Sequence, residues 1–233
     1  MGFPAVVTTN TTADSAATTS HTVNLPATIQ NGDLLVLFLA TVTTSPGTTT
    51  ATGWTFLAVA ANGTSAFLQV GYKHAVGTEG ATVTVATTGS MRGAWISYRI
   101  SANDYGAAPP QGTAATGSST NPPPPALTPA WGAWDTLWIV CTARASATVA
   151  TVAPAGFSGL LTIAAGTNSN QTAWLASRTA TETPGSFTAV TAAWVTQTVA
   201  VKPVANPLPG GDIESTAGGF VKISRTIRVV SYH

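Results

Sequence analysis

Side chains able to perform acid–base, nucleophilic or metal chemistry are few in this sequence of 233 residues. The histidines are His21, His74 and His233, and the one cysteine is Cys141. No two histidines have the spacing of a metal motif such as H-x-H or H-E-x-x-H, and one cysteine cannot supply a zinc site. We therefore expect no metal, and we expect the apolar neighbours of Cys141 to hold it as a buried, inert thiol.

Motifs for catalysis or cofactor binding are also missing. The nearest matches to a serine hydrolase elbow are at residues 63–65 and 117–119, and neither has a strand–turn–helix setting. No glycine-rich phosphate loop follows a strand, so no nucleotide cofactor is expected. The one close pair of acids, Asp212 and Glu214, lies in a Gly- and Pro-rich stretch, whereas glycosidase carboxylates need rigid positions in a cleft. The sequence predicts a protein that is not an enzyme.

The composition indicates a β protein. Only 7% of the residues are charged, against about 25% in ordinary soluble domains, while 42 are threonine, 22 glycine and 15 proline. Threonine and valine favour pleated backbone, and glycine and proline mark turns. The composition does not fit a coiled coil, and a formal net charge of +1 leaves no broad basic face for nucleic acid.

No segment of the sequence predicts export or membrane insertion. The chain does not open on a basic stretch followed by a long apolar run, as a secretory signal would. The longest apolar run, Leu34 to Ala40, has seven residues and is too short to span a bilayer. We therefore expect a protein made in a cytoplasm, without membrane contact.

Strand patterns fill both halves of the chain and predict an all-β, jelly-roll-like antiparallel sandwich. Asn62-Gly63 is a strong hairpin signal. We expect an N-terminal arm at 1–20, a sandwich at 21–203 and a linker with a final strand at 204–233. A Pro-, Gly- and Thr-rich loop at 102–125, expected to be extended, solvent-facing and partly polyproline II, joins the halves 21–101 and 126–203. The strongest strand segments are Thr22 to Leu25, Leu34 to Leu39, Trp54 to Ala60, Ala66 to Tyr72, Ala81 to Val85 and Ala94 to Ile100.

The two halves repeat the same landmarks, which predicts an internal duplication. Asp33 before an apolar strand matches Asp135 at an offset of 102 residues (135 minus 33), and Gly53-Trp54 matches Gly156-Phe157 at 103. Each half could form its own small sandwich, or each could contribute strands to both sheets of one sandwich. We favour the second arrangement, because an isolated half with so few charges would expose large apolar faces.

Ionic residues recur at equivalent turns in both halves. Asp33 and Asp135 each precede a strand, where a short carboxylate can accept hydrogen bonds from turn amides. Lys73 with Glu79, and Arg178 with Glu182, bracket equivalent turns and could pair across them. We interpret these residues as structural.

Candidate contact residues lie in two places. Five of the seven tryptophans fall within strand patterns and are expected in the core. Trp131 and Trp134 follow the proline run and could anchor a sugar or another protein chain, or could pack over a sandwich end. The alternating C-terminal segment carries Lys222, Arg225 and Arg228, and could be the last strand of the same domain or add to a sheet edge within or between subunits.

Several motifs together resemble a pattern in structural proteins of tailed bacteriophages. They are the run from Leu25 to Val36, Gly53-Trp54-Thr55, Tyr72 to Ala75 followed by Glu79, and Ala193-Trp194 to Pro203. The resemblance covers roughly residues 20 to 203. It implies a β-sandwich of the kind found in capsid decoration proteins and in head or tail fibres, with no catalytic residues. It also implies a place in the virion, with the major capsid protein or other virion proteins as partners.

Two functions fit this resemblance. The chain could be a capsid decoration or cement protein that forms a homo-oligomer, a trimer by the resemblance alone, and binds the shell through large uncharged interfaces. Alternatively it could be a receptor-binding module on a tail or fibre that holds a host glycan through Trp131 and Trp134. We favour the shell, because the chain lacks the fibrous or coiled-coil stalk that usually attaches a tail adhesin.

Overall fold

The computed structural model describes residues 2–42, 44–102 and 104–204, and all regular elements in these ranges are β-strands. The predicted all-β class is therefore confirmed. The fourteen strands are β1 Val6–Ala13, β2 Thr18–Asn24, β3 Asn31–Thr41, β4 Thr49–Thr50, β5 Thr55–Phe56, β6 Ala60–Asn62, β7 Ala66–Val76, β8 Thr82–Met91, β9 Ala94–Ile100, β10 Gln111–Ser119, β11 Thr136–Arg144, β12 Ser158–Ala165, β13 Asn168–Ser177 and β14 Ala192–Val201.

The strands form two main sheets and one small outer sheet, and the pairing is antiparallel throughout. The first main sheet has the order β1-β9-β3-β7-β5, with β6 also paired to β7. The second main sheet has the order β10-β14-β11-β13-β12. The outer sheet has the order β2-β8-β4. The hairpin predicted at Asn62-Gly63 is confirmed, since Asn62 on β6 pairs with Ala66 on β7.

Strand β3 is buried on both of its faces, which explains its unbroken apolar sequence. Because side chains alternate along a strand, Leu34, Val36 and Phe38 face the second main sheet. Leu35 and Leu37 face the outer sheet on the other side. A strand covered on both sides has no position where a polar side chain reaches water, and so its polar alternation is lost.

Strand β11 has the same role in the second main sheet. Ile139 and Cys141 face the first main sheet, and Trp138 and Val140 pack in a separate cluster on the opposite face. We call this the outer cluster: Trp138, Val140, Ala150, Phe157, Ala173, Phe187 and Ala200. Cys141 is fully buried, and this burial raises the pKa of its thiol, so the predicted buried thiol is confirmed.

Each main sheet takes its strands from one half of the chain, which differs from the arrangement that we favoured from the sequence. The first main sheet ends at Ile100 and the second begins at Gln111. Each half also covers the outer face of its own sheet. The first half uses the outer sheet, and the second uses segments joined by the bridges Leu127–Glu182 and Val152–Thr188. The structure is therefore closer to two small layered units that pack through their main sheets.

The two main sheets have corresponding strand orders. Matching β1 with β10, β9 with β14, β3 with β11, β7 with β13 and β5 with β12 gives the same order in both. The sheets face each other in reverse, since β12 packs against β1 and β9 while β14 packs against β6 and β7. Matching strand orders that face each other in reverse are what an approximate two-fold axis between the two halves produces. The duplication itself stays a prediction.

The segment expected as the loop 102–125 contains strand β10, which the sequence pattern does not predict. Its residues are small or polar, with no large apolar side chain, and they fit against large neighbours on β14. A Cβ atom on Gly117, for example, would lie 2.5 Å from the Trp194 ring. The absence of a side chain at Gly117 therefore lets β10 approach β14 at this edge of the sheet.

The four consecutive prolines also differ from the expected solvent-facing loop. Pro122 and Pro124 are buried. The carbonyl of Pro123 accepts a hydrogen bond from the Thr196 hydroxyl at 2.8 Å, and that of Pro125 accepts one from Thr198 at 2.6 Å. Proline has no backbone N–H to donate to the hydrogen-bond ladder of a sheet, but its carbonyl can still accept. The proline run therefore lies across the second main sheet without forming a strand.

The structure places part of the predicted N-terminal arm within a main sheet. Residues 6–13, expected within an N-terminal arm, form β1 and pair with β9 along the edge of the first main sheet. At the other end, Pro203 bridges to Tyr105. The predicted C-terminal strand in 204–233, with Lys222, Arg225 and Arg228, lies outside the described residues.

Candidate functional site

Trp131 has a structural position in the second half. It is half-buried against the outer cluster, and its indole N–H donates to the Thr136 hydroxyl at 2.9 Å. It lies 102 residues after Ile29 (131 minus 29), which packs on the core of the outer sheet in the first half. The matching placement favours packing over a sandwich end as the role of Trp131.

Trp134 is half-buried and also has a partner within the chain. The ammonium nitrogen of Lys202 lies 4.8 Å from the centre of the Trp134 ring, at cation–π distance. Each of the two predicted contact tryptophans therefore has an interaction within the molecule. Neither is a freely exposed aromatic anchor.

The other tryptophans divide into core and partly exposed positions. Trp95, Trp138 and Trp194 are buried, as predicted. Trp174 is half-buried and makes an edge contact with Tyr98 at 5.8 Å between ring centres. Trp54 is half-buried and lines an open crevice, described below.

Asp33 has the turn-fixing role that the sequence predicted. Its carboxylate accepts hydrogen bonds from the backbone N–H groups of Gln30 at 2.7 Å and Ala102 at 3.1 Å. It also pairs with the buried guanidinium of Arg99, at 2.5 Å from Nε. The carboxylate thus ties the start of β3 to the end of β9.

Glu79 pairs with Lys73 at 3.2 Å, which confirms the pairing predicted across this turn. Its carboxylate also accepts the backbone N–H groups of Val76 and Gly77. Burial alone would raise the pKa of Glu79, but hydrogen bonds from Val76 and Lys73 outweigh it and hold this pKa below its usual value.

Arg178 pairs with Asp135, so the expected pair with Glu182 is wrong. Two guanidinium nitrogens of Arg178 donate to the two carboxylate oxygens of Asp135, at 2.6 and 2.8 Å. This two-pronged geometry suits a planar guanidinium. Glu182 instead accepts hydrogen bonds from the hydroxyls of Ser177 and Thr179. The hydrogen bond from Arg178 holds the pKa of Asp135 below its usual value.

We expect the free energy of unfolding to fall in acid, partly through Asp135 and Glu79. Because folding lowers both pKa values, their stabilising effect is present above the carboxyl pKa of the unfolded chain, about 4, and is lost as pH falls through the folded values. Replacing Asp135 with asparagine should reduce this pH dependence, measured by urea unfolding between about pH 2 and 7. An unchanged pH profile in the variant would contradict the assignment.

Asp14, His21 and Thr87 form a hydrogen-bonded chain that the sequence pattern does not reveal. Nδ1 of His21 lies 2.7 Å from an Asp14 oxygen, and Nε2 lies 3.0 Å from the Thr87 hydroxyl. A carboxylate, an imidazole and a hydroxyl in this order are the components of a nucleophilic triad. The three residues come from different strands and turns, so their spacing along the chain forms no motif.

The surroundings of this chain of groups favour a structural role. His21 and Thr87 are buried, and the Thr87 hydroxyl is also within hydrogen-bond distance of the Gly89 carbonyl, at 2.8 Å. The same Asp14 oxygen accepts the backbone N–H of Gly93 at 2.7 Å. A nucleophile must reach a substrate, whereas this hydroxyl is enclosed by the protein. The group fastens the turn between β1 and β2 to the end of β8.

An open crevice of about 320 Å³ lies beside the turn that Lys73 and Glu79 close. The half-buried Trp54 and the Lys73–Glu79 pair line it, together with hydroxyl-bearing side chains. Leu25 and Val83 add apolar surface. The volume is at the lower end of ligand pockets in proteins. The threonines that line it are Thr52, Thr78, Thr82 and Thr84.

Strand β10 forms an uncharged edge of the second main sheet. Among the described residues its only strand partner is β14, with which all nine residues from Gln111 to Ser119 are in register. Gly112, Ala114, Thr116 and Ser118 are exposed. Natural proteins usually protect such an edge with lysine, proline or a bulge, and this strand has none of these.

Other classes of site can be tested on the described residues. They contain no group of three or more His, Cys, Asp or Glu side chains placed to hold one metal ion. In the same part of the chain, no helix is long and apolar enough to cross a membrane. No protein-family model, curated protein or solved structure matches the chain.

Proposed function

We propose that this chain is a non-enzymatic structural protein of a tailed bacteriophage virion, and that it decorates or cements the capsid. The β10 edge carries this proposal. Nine consecutive residues without charge have no strand partner on their second side among the described residues, and small side chains let a partner backbone approach closely. A protein whose purpose is to dock onto copies of itself and onto a lattice needs such a surface.

The arrangement of the ionic groups supports a role without catalysis. Five of the six acids within the described residues have partners within the fold: Asp33, Glu79 and Asp135 in turn-closing pairs, Asp14 with His21, and Glu182 with hydroxyls. Carboxylates and histidines held in this way fix loops and strand ends. They leave few charges to be desolvated when a large interface forms.

A tail or fibre protein that binds a host glycan is the second candidate. The crevice at Trp54 favours it, because aromatic and hydroxyl groups line an open depression there. The tryptophans that suggested this function from the sequence, Trp131 and Trp134, have partners within the chain and support it less.

The position of the protein on virus particles distinguishes the two candidates. Imaging of particles assembled with a labelled chain should show hundreds of copies on the shell if the decoration proposal holds. A handful of copies at the tail would instead favour the receptor-binding function. Deleting 204–233 tests whether that segment attaches the protein, with circular dichroism as the check that the sandwich still folds.

We expect charge on the β10 edge to prevent self-association. The double variant Ala114→Lys and Thr116→Lys places two ammonium groups on exposed edge positions, and paired edges would bring like charges together. Sedimentation at micromolar concentration should show an oligomer for the natural protein and a monomer for this variant. The matched control Ala114→Ser with Thr116→Ser should remain oligomeric. A natural protein that sediments as a monomer would contradict self-association.

A further inference from the structure

We propose that the crevice beside Trp54 is a binding site for a neutral saccharide. Its volume of about 320 Å³ suits one or two sugar rings more than a large ligand. It lies between the end of β2, the turn before β5 and the turn between β7 and β8. The site was not among the residues that the sequence suggested, since Trp54 was expected in the core.

The charges of the crevice favour a neutral ligand. Lys73 and Glu79 face each other at 3.2 Å, so their charges balance within the site. A ligand with its own net charge would be attracted to one member of this pair and repelled by the other. The ammonium group of Lys73 has three N–H donors, and Glu79 accepts one of them, so hydroxyl oxygens of a ligand can accept the others.

The free polar groups of the crevice suit a ligand with many hydroxyls. The hydroxyls of Thr52, Thr78, Thr82 and Thr84 have no partner in the described part of the chain, and each can both donate and accept. The indole N–H of Trp54 likewise has no protein partner among the described residues, unlike those of Trp95, Trp131 and Trp194. A sugar offers hydroxyls to these groups and an apolar C–H face to the indole.

The second half of the chain lacks the same arrangement at its corresponding positions. Phe157, which corresponds to Trp54, is buried in the outer cluster. Arg178, which corresponds to Lys73, pairs with Asp135, while Glu182 accepts hydrogen bonds from the hydroxyls of Ser177 and Thr179. One half therefore uses these landmarks for packing, while the other leaves an indole and an ammonium group at an open depression.

This inference concerns ligand binding and does not depend on where the protein sits on a particle. It is tested on the whole chain by saturation-transfer NMR, with the methyl glycosides of glucose, galactose, mannose and N-acetylglucosamine as probes. We expect transfer to at least one neutral glycoside and none to an acidic one such as methyl glucuronide. Absence of transfer to all four neutral glycosides, or transfer to the acidic one alone, would overturn the proposal.

Two variants locate the binding. Trp54→Ala should weaken it about tenfold or more by removing the stacking surface. Because Trp54 also packs on the core, Thr78→Arg provides a second variant that fills the crevice from an exposed position, and it should also weaken binding. Thr181→Arg, at the corresponding turn of the second half, is the matched control and should bind as the natural protein does. Unchanged binding in Thr78→Arg and in a folded Trp54→Ala protein would overturn the site.

Discussion

The variant Arg144→Ala is expected to lose about 3–5 kcal/mol of unfolding free energy, because a charged donor contributes about 1.5–3 kcal/mol per hydrogen bond. Arg144 ends strand β11 and is fully buried. Its guanidinium donates to the carbonyl of Thr148 at 2.7 Å and to that of Val190. These carbonyls belong to the two loops that flank the second main sheet, so one side chain holds both loops in place.

Because Arg144 is buried, replacing it with alanine should lower the free energy of unfolding more than replacing a surface arginine would. No carboxylate pairs with it among the described residues, and burial lowers the pKa of its guanidinium. Alanine would leave the carbonyls of Thr148 and Val190 without this donor and a cavity in place of the buried side chain. The direct link between the two loops would be lost.

Urea unfolding and hydrogen exchange measure this effect. In Arg144→Ala, amide exchange should accelerate first in the loops at 145–157 and 178–191, before the main sheets are affected. Arg92→Ala, at an exposed arginine, is the matched control and should change stability by no more than about 0.5 kcal/mol. Equal stability of the two variants would show that Arg144 does not hold the loops.

Sequence patterns indicate the strands that bury large apolar side chains of their own. They do not indicate β10, which has no such side chains. The apolar run from Leu34 to Leu39 predicts a buried strand, and the structure explains the run, since both faces of β3 pack on other sheets. Strand β10 has no large apolar residue, so no apolar period distinguished it from a loop. Its position depends on β14, which lies about 80 residues further along the chain.

The polar contacts were predictable only where the partners are close in sequence. Lys73 and Glu79 bracket one turn, so their spacing in the sequence predicts the pair that the structure contains. Asp135 immediately precedes β11 and Arg178 immediately follows β13, and only the pairing of these two strands brings them together. A signal for His21 did exist, since it shares its strand face with the buried Val23. A histidine on an apolar face needs a partner, although the sequence alone could not name Asp14 or Thr87.

The variant Asn170→Asp is expected to lose about 4 kcal/mol or more of unfolding free energy at pH 7, because burial can shift the pKa of a carboxyl by about 3–5 units. Asn170 lies between the main sheets and is fully buried. Its amide nitrogen donates to the carbonyls of Phe38 at 2.9 Å and Ala94 at 3.0 Å. A carboxylate in the same place would face two carbonyl oxygens and repel both.

The pH dependence distinguishes this electrostatic cost from simple misfit. Folding would raise the pKa of the introduced carboxyl group above its unfolded value, so the penalty is absent below about pH 4 and grows as pH rises towards the folded pKa. The variant should therefore approach the natural protein in acid, whereas Asp135 and Glu79 make the natural protein less stable there.

A leucine at the same position provides the control for Asn170→Asp. The amide oxygen of Asn170 is buried without a partner among the described residues, and the Phe38 and Ala94 carbonyls belong to paired strands. Leucine removes the unpaired oxygen and keeps the branching at Cγ without introducing a charge, so Asn170→Leu should lose clearly less stability at pH 7 than Asn170→Asp. Urea unfolding of both variants at pH 4 and 7 measures the difference. If the leucine variant loses as much stability as the aspartate variant at pH 7, the two amide hydrogen bonds, and not the buried charge, determine the packing of the main sheets.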